Sequence, residues 1–424
     1  MRNSTSDIIV FIWLKGKGYV PAAKIIKHND ARSCLEFGYG ARYLKSASSI
    51  PVDPVCLPLF GLSSVFSESN IPMFSALGDM VPDKWGRKLF SLMAGRHSQA
   101  LTELDILTAV HSKKRIGAIA FGRSPSDGPV SFATWADGTA QTLRLDDLER
   151  VVKVVEAIDE VEGDDEMDHL RKILLEDAFF KALTSSLNVG GSRPKALISE
   201  NGNEYIAKFS KRGDLWNEPR IEFATMQLAK KCGIKTVDMK LIPCNNTCVL
   251  LVKRFDRDQD CEPRHFVSGL TMLNLSEEEE WGSYPDLAQV ARRHGDSFAG
   301  PELFRRMIFN VLCSNIDDHP RNHAFFVDRY GVSITPAYGI VPTQTRIIEK
   351  FLAFGCGLYG REANLNNALS ATSAFGLQYS QAQKIVFDMI KTIKTWKTCF
   401  KENGVTDREI SDLEFRFSDV EIGS

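Results

Sequence analysis

The stretch that most restricts what this chain can become lies between Gly190 and Phe255. GGSRPKALI, NGNEYIAKFS and CVLLVKRFD carry strand-like apolar runs between turn signals, and the helix-period segment IEFATMQLAKKCGI stands between the second and the third. Lys208 ends the second run, and Glu222 rides on the helix. From about Arg264 onward the pattern turns mostly helical. Strands first and helices after, rather than strict alternation, predict an α+β chain with a β-rich front and a mostly helical C-terminal lobe.

The residues before Gly190 fall into two parts. Ile8 to Leu14 reads as a strand, Lys15-Gly-Lys-Gly18 as a tight turn, and a second strand follows through Ile26. Short strand-like runs continue to about Phe60. SALGDMVPDKWGRKLFSLMA then takes a helical rhythm, with Pro82 and Asp83 placed to start a turn or helix. RIGAIAFGRSPSDGPV closes this part with a strand and a Ser/Gly/Pro/Asp loop, which marks the first boundary. A long helical stretch, Leu145 to Leu187, is interrupted by the acid run EVEGDDEMD. That run suits a solvated helix start, with cation binding as the alternative. The expected divisions are 1–125, 126–260 and 261–424.

Composition bounds the partners. A chain of 424 residues, 43% hydrophobic and 25% charged, has room for two or three packed units, and its formal charge of −2 supplies no global pull toward nucleic acid or membrane. The first apolar run is too short for a membrane span and lacks the order of a secretory signal. Nine Cys, an odd number scattered over the chain, fit reduced thiols. The expected compartment is the cytoplasm, with no membrane contact.

The residues that carry chemistry cluster after PELFRRMIFNVLCSNI, whose apolar positions 303, 304, 307, 308, 311 and 312 predict a helix with one buried face. Asp317, Asp318, His319, Arg321 and Asn322 follow at once. A carboxylate held at the end of a packed helix, with an amide oxygen five positions later, is the pair that phosphoryl transfer needs. One orients a hydroxyl and the other binds Mg²⁺. The same pattern fits a helix C-terminus followed by an Asx-rich turn. Lys208 could reach nucleotide phosphates with Glu222 as its ion-pair partner, or be a surface Lys on an edge strand. Gly190-Gly191-Ser192-Arg193 and Lys195 offer backbone N–H groups and charge to a phosphate.

Two further patterns bear on metals and anions. Cys244-x3-Cys248 with Cys261-x3-His265 has zinc-like spacing, but CVLLVKRFD reads as a strand and sends Cys248 toward the core. His319-x3-His323 has Pro320 between the imidazoles, which favours loop structure over a zinc site. QAQKIVFDMIKTIKTWKTCFKENG reads as one amphipathic helix. Lys384, Lys391, Lys394, Lys397 and Lys401 share a face without opposing acids, either a solvated surface or a contact for DNA or another anionic partner.

Together these segments resemble the HipA family of serine/threonine kinases, the toxin component of bacterial toxin–antitoxin modules. FGYGARYLKSASSIPVDPVCLPL, MVPDKWGRKLF and LDILTAVHSKKRIGAIAFG look like the family's N-terminal subdomain. GGSRPKALI, YIAKFS, IEFATMQLAKKCGI, LLVKRFDR, NIDDHPRNHAFF and ITPAYGIVP follow in the family's order. The resemblance implies a two-lobed, protein-kinase-like fold, ATP and Mg²⁺ as cofactors, and transfer of the ATP γ-phosphate to a protein Ser or Thr, in the family an aminoacyl-tRNA synthetase. By position, Asp317 is the catalytic acid, His319 supports its loop, Asn322 is a metal ligand and Lys208 binds phosphates. Gly190 through Lys195 form the phosphate loop, Glu222 is the helix acid, and Val252, Lys253 and Phe255 belong to the hinge against adenine. A HipB-like helix-turn-helix antitoxin and, through the complex, operator DNA are the implied partners.

Two positions depart from the family pattern. PAYD reads Pro336-Ala-Tyr-Gly339, so the metal-binding carboxylate is missing. The regulatory Ser before the phosphate loop is Asn188 here, which leaves Ser185 or Ser186, with Ser186 the candidate for autophosphorylation. The sequence therefore predicts either an impaired kinase toxin or a catalytically dead pseudokinase acting as an antitoxin-binding co-repressor.

Overall fold

Ile8–Leu14 is buried on both faces because it lies inside a sheet, between Gly18–Lys27 on one side and Ile119–Gly122 on the other. Gly16 and Gly18, at φ +74° and +72°, make the reversal between the first two strands. Pro21 stands opposite Phe11, next to a slip in register, the kind of place where a strand tolerates a residue without an N–H. Leu35–Tyr39 and Val65–Phe66 extend the antiparallel sheet beyond Gly18–Lys27. Val10, Ile12, Phe37, Leu77, Leu107 and Phe121 fill the core beneath it. This is a computed structural model that describes residues 7–28, 34–59, 61–67, 73–95, 101–110, 114–133, 142–161, 164–175, 177–183, 186–245, 247–275, 282–344 and 350–418.

The chain packs as two compact units. Residues 1–212, 256–266 and 327–329 form the first, and residues 213–255, 267–326 and 330–424 form the second. In the first unit the stretch with helical rhythm forms two helices, Ser75–Gly78 and Lys84–Ala94, the second starting at Pro82 and the extended N-cap Asp83, where a turn or helix start was expected. The helix Glu103–Ala109 starts on a capping box between Thr102 and Asp105. Leu148–Glu160 and Asp164–Leu174 flank the acid run, the second starting inside it as a helix-start reading requires. The strands Lys195–Glu200 and Asn203–Lys208 pair antiparallel across Asn201 and Gly202, both at positive φ.

In the second unit, Asn217 caps the helix Glu218–Lys231 by accepting from Arg220 N–H, with Pro219 in the first turn. Met239–Cys244 forms a strand that the sequence pattern does not announce, and it pairs with Thr247–Lys253. The helices Tyr284–Arg293 and Ala299–Leu312 follow, the first capped by Ser283 as its sequence predicts. Short strands Phe266–Ser268, Ala324–Val327 and Val332–Ile334 form a three-stranded sheet with Ala324–Val327 at its centre.

The C-terminal amphipathic segment corrects the sequence reading twice. It is two helices, Tyr379–Ile393 and Trp396–Glu402, because Ile393, Trp396 and Phe400 are drawn into the core on either side of a break at Lys394 and Thr395. Its lysines are also not without opposing acids. Lys384 meets Asp388 at 3.1 Å, Lys397 meets Glu414 at 2.6 Å and Lys401 meets Asp407 at 2.7 Å. All nine cysteines are free thiols. Among the described residues no three His, Cys, Asp or Glu side chains gather as a metal cluster, and no helix is long and apolar enough to cross a membrane.

Candidate active site

The helix Ala299–Leu312 ends where Ser314 adopts a left-handed φ of +54°. The reversal lets Asn315 N–H return to Asn310 O at 3.0 Å and starts the loop that carries Asp317. A buried chain of hydrogen bonds holds this loop from inside. Asn315 Nδ2 donates to Asn310 Oδ1 at 3.0 Å, and Asn310 Nδ2 donates to the Tyr284 hydroxyl at 2.9 Å. Tyr284 donates in turn to Asp318 Oδ2, which also accepts from His323 Nε2 at 2.9 Å. Asn322 Nδ2 donates to the other oxygen of Asp318 at 3.2 Å. A buried hydrogen-bond network of this kind stiffens the backbone that bears it, although His323 Nδ1 has no partner among the described residues.

The two adjacent aspartates have opposite surroundings. Asp317 is exposed, whereas Asp318 is 1% exposed. Burial pushes the Asp318 carboxyl upward, but the His323 imidazole and the donated hydrogen bonds outweigh it and hold the group below the ordinary carboxylate value. Burial, and then the Asp318 charge, push Tyr284 far above the usual phenol value. His319 is pulled down by its burial despite the two neighbouring carboxylates. Asp318 is thus a structural carboxylate, with both oxygens accepting hydrogen bonds from Tyr284, His323 and Asn322.

The segment Pro336–Gly339 is tied to the same loop. The Tyr338 hydroxyl donates to Arg321 O at 2.9 Å, and Ala337 exchanges backbone bonds with Lys235 and Val237 at 2.7 and 3.0 Å. Buried Arg306 fixes the start of the segment by donating to Thr335 O at 2.6 Å, while Glu302 accepts from its Nε at 2.9 Å. Gly339 has φ +69°, and among the described residues beyond its chain neighbours no atom lies within 4 Å of where its Cβ would stand. Mg²⁺ takes oxygen ligands. The residues present fit that ion at one vertex, the Asn322 amide oxygen, and fail at the other, where Gly339 has no donor and space is left for one. On the hinge, Lys253 N–H is already bonded to Asp238 O at 2.8 Å and does not offer a free edge to a base. The Phe255 ring stacks on Tyr338, with centroids 5.4 Å apart. Val252 and Glu222 are buried.

The remaining predicted residues lie in the first unit. Lys195 and Lys208 stand directly opposite each other in an antiparallel pair, so both leave the sheet on one face. The Lys195 stem folds back into the glycine turn, where Nζ donates to Arg193 O at 3.2 Å and lies 2.0 Å from the position of a Cβ on Gly191. Gly191, at φ +105°, has a backbone conformation that favours glycine, while the Lys195 side-chain end near its Cβ position can shift. Gly190 and Ser192 are exposed at the turn. Ser186 is 1% exposed and its Oγ accepts from Leu197 N–H at 2.7 Å, so this hydroxyl is packed inside rather than offered for modification. Ser185 lies outside the described residues. Asn188 is 1% exposed, and among the described residues its amide has no hydrogen-bond partner.

Sequence reasoning missed Tyr284, Asn310, Asn315 and His323 as members of the site. The available signal was Asn310, an amide set among the apolar positions of a buried helix face.

Comparison with known proteins places this geometry. Residues 187–397 match the HipA-like C-terminal domain family. The serine/threonine-protein kinase toxin HipA of Shewanella oneidensis is 29% identical over 190 residues, which are 37% of this chain and 43% of that protein. A relative from Haemophilus influenzae is 26% identical over 136 residues, 28% of this chain and 40% of its own length. The chain thus spans less than half the length of the curated relatives it matches. A chain from the solved complex of Shewanella oneidensis HipA, HipB and operator DNA superposes with a TM-score of 0.66 at 18% identity, covering 97% of this chain and 95% of that one, a likeness of fold. Through the domain at residues 187–397, this chain belongs to the HipA-like family.

Proposed function

We propose that the chain is a HipA-like protein serine/threonine kinase whose transfer of the ATP γ-phosphate is impaired at one metal ligand. Asp317 orients the substrate hydroxyl, His319 supports the loop, and Lys208 with the turn Gly190–Lys195 holds the phosphates. Bound Mg²⁺ supplies charge neutralisation on the transferred group. The observation that carries the reading is Gly339. It follows Tyr338, which is tied to the loop, has no donor of its own, and the Asp318 carboxylate of that loop is turned inward.

A second reading is a pseudokinase that binds a HipB-like helix-turn-helix antitoxin and acts with it on operator DNA. What favours it is the likeness along nearly the whole chain to a protein solved in complex with HipB and its operator DNA. One experiment separates the two: transfer of radiolabelled γ-phosphate by this chain and by Gly339→Asp. The expected result is a gain of roughly 10³-fold on restoring the carboxylate. Equal rates would refute impairment at Gly339, and no transfer by either chain would favour the pseudokinase.

A further inference from the structure

We propose that Asp318 is a positioning residue that acts through Asn322, fixing its amide so that the oxygen rather than the nitrogen faces the divalent cation of a bound nucleotide. The inference rests on the kinase reading above and concerns the one metal vertex this chain retains.

The backbone alone cannot fix that amide. Asn322 closes a single 3₁₀ turn, Pro320–Asn322, where its N–H donates to His319 O at 2.8 Å and Arg321 O accepts from Tyr338. These bonds set the position of the Asn322 backbone. They leave the last side-chain torsion of Asn322 free, and an sp³–sp² torsion of that kind is broad and nearly two-fold. An amide turned either way would fill the same space with opposite chemistry, an oxygen donor in one case and an N–H₂ group that repels a cation in the other.

Asp318 removes the ambiguity. Its Oδ2 is taken by Tyr284 and His323, and its Oδ1 accepts from Asn322 Nδ2 at 3.2 Å. A carboxylate only accepts, so the Asn322 N–H₂ must turn toward it and the oxygen must turn away. Asp318 is 1% exposed, Tyr284 is 0% and His323 is 2%, so the anchor is sealed from water and cannot swing. The pairing is the relation by which an outer partner orients a ligand, and loss of such a partner lowers metal affinity about 10- to 100-fold.

The test uses the full chain carrying Gly339→Asp, which supplies the second carboxylate. ATP affinity is measured in Mn²⁺ and in EDTA, and the ratio of the two is the readout. Adding Asp318→Asn is expected to lower the ratio about tenfold with the EDTA affinity unchanged, since an amide cannot accept on both sides. In the Asn322→Ala, Gly339→Asp chain the ratio is already low, and Asp318→Asn is expected to lower it no further. A ratio unmoved by Asp318→Asn, or a drop that persists without Asn322, overturns the proposal. Should Asp318→Asn fail to fold, or ATP fail to bind, the side-chain amide protons of Asn322 in the unmodified ¹⁵N-labelled chain decide it. Slow solvent exchange upholds the positioning, and exchange at the rate of a free amide overturns it. Absence of ATP binding in every variant removes the kinase reading and leaves the amide result standing separately.

Discussion

His265 illustrates how burial sets the proton affinity of one side chain. It is 3% exposed, its Nε2 donates to Val52 O at 2.9 Å, and burial pulls its pKa down to about 4. The unfolded chain titrates at about 6.5 and takes the proton first as pH falls. Stability present above pH ~6.5 is therefore lost down to pH ~4, by about 3 kcal/mol. Denaturant midpoints are expected to fall across that window, and His265→Gln, which keeps a donor for Val52, to flatten the fall. An identical decline in the variant would show that other groups carry it. Gly339 makes the second prediction at this scale. Its φ of +69° suits Asp better than most residues and its Cβ position is open, so Gly339→Asp is expected to cost about 1 kcal/mol and to fold. Thermal unfolding checks it, and a loss of several kcal/mol would mean the turn cannot accept a side chain.

At the scale of elements, the helix Lys84–Ala94 backs the root of the glycine turn. A Cβ on Gly86 would stand 2.0 Å from Leu187 O, and Trp85 Nε1 donates to Lys195 O at 3.0 Å. The obstacle is backbone, so a methyl group there must push residues 187–195 or the helix aside. Gly86→Ala is expected to lower stability by about 1–3 kcal/mol and to weaken ATP binding, read by thermal unfolding and nucleotide titration. Stability lost with ATP affinity intact would separate this contact from the phosphate loop. The sequence stretch PDKWGRK announces a helix start, which the structure contains. The reason for its glycine was not legible there, because the clashing carbonyl lies about a hundred residues away in the chain.

For the whole molecule, two units interleaved in sequence mean that neighbours along the chain pass from one unit to the other at 212/213, 255/256, 266/267, 326/327 and 329/330. Charge is also decided at this scale. Three of the five lysines on the C-terminal segment meet Asp or Glu side chains, two of them, Glu414 and Asp407, from beyond the segment itself. Lys391→Gln with Lys394→Gln is therefore expected to change the affinity for DNA by less than about tenfold, with a salt slope reduced by no more than about two. A larger loss in a mobility-shift titration would restore this face as an anion-binding surface.

By itself the sequence determined the α+β class, the strands Ile8–Leu14 and Thr247–Lys253, the buried helix before the loop, and the loop's family. Each of these is written in local periodicity and turn chemistry, which need no distant partner. Only tertiary structure decided which of Asp317 and Asp318 is buried. They are chemically identical neighbours, and no local periodicity says which one turns inward. The left-handed turn at Ser314 and the side chains of Tyr284 and His323 drive one carboxylate inward and leave the other exposed. Direction at a chain reversal is set by partners remote in sequence, so the surroundings of two adjacent residues were fixed by packing that no local pattern records.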